Sequence, residues 1–124
     1  MSWIKHTFEE LARSIGVPRL LPDANGLVSL RFSNDHRLDF RVLEDAVLLL
    51  MVRSIDSHDR LLALRRALDA CHLRHGWNLP VQAGLSREGK LVFITRVRTA
   101  DFRPNTVEQA FDLLTRLHDR VRQR

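Results

Sequence analysis

A single cysteine, Cys71, in 124 residues leaves no partner for an intrachain disulfide and points to a reducing compartment. Five glycines and four prolines, set against 44 % hydrophobic and 28 % charged residues, exclude a disordered or low-complexity chain. The longest apolar run, AVLLLMV at residues 46–52, falls far short of the roughly 20 residues that span a bilayer. The first 20 residues, MSWIKHTFEELARSIGVPRL, contain Glu9-Glu10 and no continuous apolar stretch, unlike a secretory signal. GxSxG, P-loop, GxGxxG and HExxH patterns are also missing, so nothing indicates the enzyme classes that rest on them. The expectation is a cytoplasmic, non-enzymatic protein without membrane span or cofactor, folded as one domain over residues 1–124.

What is there reads as an α+β chain. Ile4, Phe8, Leu11, Ala12 and Ile15 recur at helical spacing over residues 3–15, with Gly16 as a stop and Pro18 just beyond. LVSLRF at 27–32 and RLDFRV at 37–42 alternate apolar and polar residues around a Ser33-Asn34-Asp35 turn. Residues 45–53 then read as a third strand, because Val47 and Val52 suit a pleated surface and Glu44-Asp45 suits the turn before it. A strand apolar on both faces needs two covers, and its sequence does not say which face meets which.

A second helix over about 58–74, N-capped by Asp56 or Ser57, carries a stripe of Leu61, Leu64, Leu68 and Cys71, widened by Leu62 and Leu73, with Gly76 as its stop. LPVQAGLS and KLVFITRV flank Arg87-Glu88-Gly89, a hairpin signal. Residues 104–122 form a third helix with Val107, Ala110, Phe111, Leu114, Leu117 and Val121 on one face; it starts at Pro104 or at a Thr106/Gln109 capping box. The order is α-βββ-α-ββ-α, with a twisted, mainly antiparallel sheet.

Two constellations invite chemistry, and each has a plainer reading. Cys71, His72 and His75 have helical ligand spacing, but Cys71 lies on the leucine stripe and no second Cys completes a zinc site, so a packing thiol and no metal are expected. Asp56-Ser57-His58-Asp59 holds the residue types of a hydrolytic triad, yet triad members come from separate elements, and helix capping accounts for Asp56 and Ser57. Trp3 and Trp77 read as core or interface anchors.

With FEELARSIGVP, the strand meander, AGLSREGKLVFITRV and FDLLTRLHDRV in this order, the chain resembles the class I chaperones of bacterial type III secretion, the family typified by the Tir chaperone. The resemblance implies a cytoplasmic homodimer that binds the N-terminal region of a secreted effector in extended form and keeps it soluble for secretion. Carried onto this sequence, it makes Ile4, Phe8, Leu11 and Leu20 one effector-binding region. Leu30, Phe32, Leu38 and Phe40 either add to it or serve the core. Leu61, Leu64, Leu68 and Trp77 are the implied dimer interface. Members of that family are usually acidic, whereas this chain has a formal charge of +5, with 18 arginines among its 20 basic residues. The alternative reading is therefore a basic module binding nucleic acid or a regulator, although the arginines are scattered along the strands and concentrated only in the tail from Arg116 to Arg124.

Overall fold

The computed structural model describes residues 2–32, 36–72 and 76–122. Helix α1 (Ser2–Ile15) is followed by strands β1 (Leu27–Phe32), β2 (His36–Val42) and β3 (Ala46–Arg53), helix α2 (Arg60–Ala70), strands β4 (Val81–Leu85) and β5 (Leu91–Arg98), and helix α3 (Pro104–Arg122). All four strand pairings are antiparallel, in the order β1-β2-β3-β5-β4. The apolar run 46–52 is thus an inner strand, and β1 and β4 are the edges.

Strand alternation sorts the sheet into two faces. Val47, Leu49 and Met51 of β3, Leu38 and Phe40 of β2, and Phe93 and Val97 of β5 join the buried cluster to which all three helices contribute. Leu48, Leu50 and Val52 point the other way. In register beside them stand Arg41 and Arg96 at Leu48, Asp39 and Ile94 at Leu50, and Arg37 and Val92 at Val52. Arg41 and Arg96 are exposed there, Arg37 and Arg96 pair with Asp39 and Asp45, and Leu48 and Leu50 are half-buried. Arg53 alone among the strand arginines turns to the helix side, where its Nη1 donates to Asp119 at 2.9 Å.

The helix ends follow local chemistry. α1 stops at Gly16, whose φ of 79° is the left-handed conformation a glycine adopts without a Cβ clash. Gly89 sits in the β4–β5 turn with φ of 80° beneath the Arg60 guanidinium, where any Cβ would meet that side chain. α2 begins later and ends earlier than its periodicity suggests. A 3-10 turn at Ser57–Asp59 precedes it, neither Asp56 nor Asp59 makes a side-chain cap, and the Asp59 N–H donates instead to the Asp56 carbonyl at 3.0 Å. α3 starts at Pro104, so the Thr106/Gln109 box does not form; the Thr106 N–H takes the Asn105 side chain at 2.9 Å. The turn at Ser33-Asn34-Asp35, and with it Leu73 and His75, lies outside the described residues.

Candidate functional site

α1, α3 and the helix-side face of β1 and β2 leave an apolar groove of about 260 Å³. Leu11 and Ile15 of α1 form one wall, Val107 and Phe111 of α3 the other, and Leu30, Phe32, Leu38 and Phe40 the floor. The local reasons are simple. Alternation in two paired strands puts Leu30 opposite Leu38 and Val28 opposite Phe40 on one face. Helical spacing puts Leu11 and Ile15 one turn apart, and likewise Val107 and Phe111. The floor is deep at β2, where Leu38 and Phe40 are buried, and shallow at the edge strand, where Phe32 is 43 % exposed and its ring centroid lies 6.0 Å from that of Phe111. Ile15, at 49 % exposure, opens the α1 wall to solvent.

Five of the eight residues that the resemblance implicates in effector binding therefore come together: Leu11, Leu30, Phe32, Leu38 and Phe40. The other three do not line this groove. Phe8 is fully buried, packed edge-on against Phe40 at 5.3 Å and tilted against Phe102 at 5.2 Å, a core position. Ile4 and Leu20 are buried as well and border two separate surface clefts, Ile4 beside Leu43 and Leu20 beside Val17. The α3 wall, Val107 and Phe111, and its carboxylates Glu108 and Asp112 are groove residues that sequence reasoning placed only on a helix.

α2 packs on its alanines. Ala63, Ala67 and Ala70 face the core, whereas Leu61 is 76 % exposed and Leu68 53 %, with Leu62 also exposed and Leu64 half-buried. The leucine stripe is real and points outward. Trp77 is half-buried, donates its indole N–H to the Ala70 carbonyl at 2.7 Å and lies under the Arg120 guanidinium, so it ties the end of α2 to α3 within the chain. Trp3 does the same for α1, donating to the Thr99 carbonyl at 3.1 Å.

The Asp56–Asp59 constellation does not assemble, and His75 of the Cys71/His72/His75 set lies outside the described residues. Asp56, Ser57, His58 and Asp59 are successive exposed residues around one 3-10 turn. Cys71 is half-buried and burial pushes its thiol up to about 11, far from a reactive thiolate. Among the described residues no group of three His, Cys, Asp or Glu could hold a metal ion, and no described helix is long and apolar enough to cross a membrane. Among the described residues the one deeply buried histidine is His118; its Nε2 bonds the Met51 carbonyl at 2.8 Å and its ring stacks edge-on with Phe93, a packing role.

Residues 3–122 match the family model of the type III secretory system chaperone SycN. Among solved structures, a chain of the HopA1–SchA chaperone–effector complex superposes with a TM-score of 0.74 at 16 % identity, covering 98 % of this chain and 94 % of that one. A chain of the ExsC–ExsE complex gives 0.73 at 21 %, covering 98 % and 93 %. A chain of the ExoU–SpcU heterodimeric complex from the type III secretion system of Pseudomonas aeruginosa gives 0.65 at 21 %, covering 92 % and 93 %. At these identities the structural likeness speaks for the fold. No curated protein matches the sequence significantly.

Proposed function

Because the chain belongs to the SycN family of type III secretory system chaperones, we propose that it holds the N-terminal segment of a secreted effector in extended form, in the cytoplasm, without a catalytic step or cofactor. The observation that carries this reading is the groove: an apolar channel that opens at the exposed edge strand β1, with Phe32 and Ile15 left partly in water. An extended segment pairing with β1 satisfies its own backbone on that edge and points every second side chain toward Leu30 and Phe32. The likeness to chains from the HopA1–SchA and ExoU–SpcU complexes supports the same reading.

The test is co-expression with effectors encoded nearby, followed by affinity capture. A soluble complex is expected with the native chain. Phe32→Ser should weaken client capture at least tenfold while shifting the melting temperature by only a few degrees, since the side chain is nearly half exposed. Undiminished capture by the Phe32→Ser chain would remove the groove from the reading.

The outward leucines of α2 support a second element of the proposal, a homodimer joined across Leu61, Leu64 and Leu68, with Trp77 bracing the end of the helix. A helix that buries its alanines and exposes its leucines has its larger apolar area still in water. Each leucine buried against a second copy contributes roughly 1.5–3 kcal/mol. Light scattering should report about twice 14.4 kDa for the native chain and a monomer for Leu61→Glu/Leu68→Glu. A native monomer at micromolar concentration contradicts the dimer and leaves the groove reading in place.

A further inference from the structure

The groove runs against the charge of its chain. Lys and Arg outnumber Asp and Glu by 20 to 15, yet among the described residues no basic side chain lines the groove, and the charged groups that do, Glu108 and Asp112, are both carboxylates. They stand four residues apart on exposed positions of α3, so one lies above the other along the same wall. Folding gives them no visible reason to be there. Like charges at that spacing cost a helix rather than support it. Neither lies in the first turn of α3, where the helix dipole favours an acid. Among the described residues no side-chain hydrogen bond or ion pair engages either carboxylate, and Arg116, one turn beyond Asp112, forms no ion pair with it. The opposite wall is Leu11, Ser14 and Ile15, which leaves nothing on that side to neutralise them.

We infer that the groove takes a client segment of one chemistry: alternating apolar residues for Leu30, Phe32 and Phe111, with an Arg or Lys two positions from an apolar anchor to meet Glu108 and Asp112. The inference rests on the groove reading above and narrows it. In an extended segment, residues two apart project to the same side about 6.6–6.8 Å apart, so a cation at that spacing reaches the α3 wall while its neighbour fills the floor. An acidic client, which the positive net charge of the chain would suggest, meets repulsion at this wall. Selection by local charge thus overrides the global charge, because screening limits the rest of the molecule to about 8–10 Å at physiological salt.

The probes are three fluorescein-labelled synthetic peptides with the same alternating Leu and Ile positions and with Lys, Gln or Glu at the flanking same-side positions. Anisotropy titration at low salt should show the Lys peptide binding about fivefold tighter than the Gln peptide, and the Glu peptide weaker still; raising the salt should compress the difference. Glu108→Gln/Asp112→Asn should erase the ranking, whereas Glu44→Gln, in the β2–β3 turn at the far end of β2 from Phe32 and outside the groove lining, should keep it. Equal affinity of the three peptides, still weakened by Phe32→Ser, overturns the charge inference and leaves the groove standing. So does tighter binding of the Glu peptide. Failure of all three to bind at millimolar concentration overturns the groove reading itself and the inference with it.

Discussion

Phe8→Ala is expected to lower the stability of the chain by about 3–5 kcal/mol, the cost of removing a fully buried phenylalanine and leaving a cavity that its neighbours fill only in part. The site explains why the higher end is reasonable. Phe8 has no exposed surface, and it meets Phe40 at an interplanar angle of 84° and Phe102 at 59°, while Phe40 and Phe102 are themselves in edge contact at 6.3 Å. These three rings join α1, β2 and the connection into α3. Next to them the Thr7 hydroxyl donates to the Phe102 carbonyl at 2.8 Å. Against a typical total of 5–15 kcal/mol for a folded domain, such a loss lowers the melting temperature by roughly 10–20 °C. Calorimetry checks it, with Phe32→Ser as the comparison because that ring belongs to the groove and is 43 % exposed. If Phe8→Ala melts like the native chain yet loses client capture, Phe8 is a contact residue after all and its assignment to the core fails.

The contrast between Phe8 and Phe32 shows where sequence reasoning reaches and where it stops. Helical and strand periods place both residues on apolar faces, and period alone carries no information about depth. Phe32 stays partly in water because it sits at the end of an edge strand, a fact of sheet order that no local pattern contains. The strand run 46–52 is similar. Its apolar character on both sides was legible, and so was its place as the third strand, but the assignment of Val47, Leu49 and Met51 to the helix side required its register between β2 and β5.

α2 is the more instructive case. Its stripe of leucines has the correct period and the opposite phase from a core-facing helix, because Ala63, Ala67 and Ala70 are the residues small enough to let the helix lie close on its neighbours. A hydrophobic ranking prefers leucine to alanine and therefore picks the outward face. That face becomes sensible only when a second surface is supplied, which a single chain does not contain. The groove was legible in part: alternation brings Leu30, Phe32, Leu38 and Phe40 to one face. Its α3 wall lies some 70 residues later in the chain, and only the tertiary fold sets Val107, Glu108, Phe111 and Asp112 against them.

His118 falls on the buried stripe of α3 between Leu114 and Val121, one histidine among six, and it leads to the second large expected effect, an acid-labile fold. Burial is the main cause that holds its pKa down at about 4, from the ordinary 6.5. The charge of Arg53 and the nearby His36 push the same way, and the hydrogen bond to the Met51 carbonyl and the charge of Asp119 oppose them. A histidine depressed in the folded state binds a proton more readily once unfolded. Its contribution to stability is therefore fully present above pH 6.5 and is lost as the pH falls from about 6.5 to about 4, by up to roughly 3 kcal/mol. Urea denaturation midpoints should fall across that window in the native chain. His118→Gln, which removes the titrating ring while keeping an N–H for the Met51 carbonyl, should lower stability at pH 7 yet flatten the decline. Parallel pH profiles would place the acid sensitivity elsewhere. The ring joins α3 to β3 and packs on Phe93, so the stability that this titration removes is the anchoring of the helix that forms one wall of the groove.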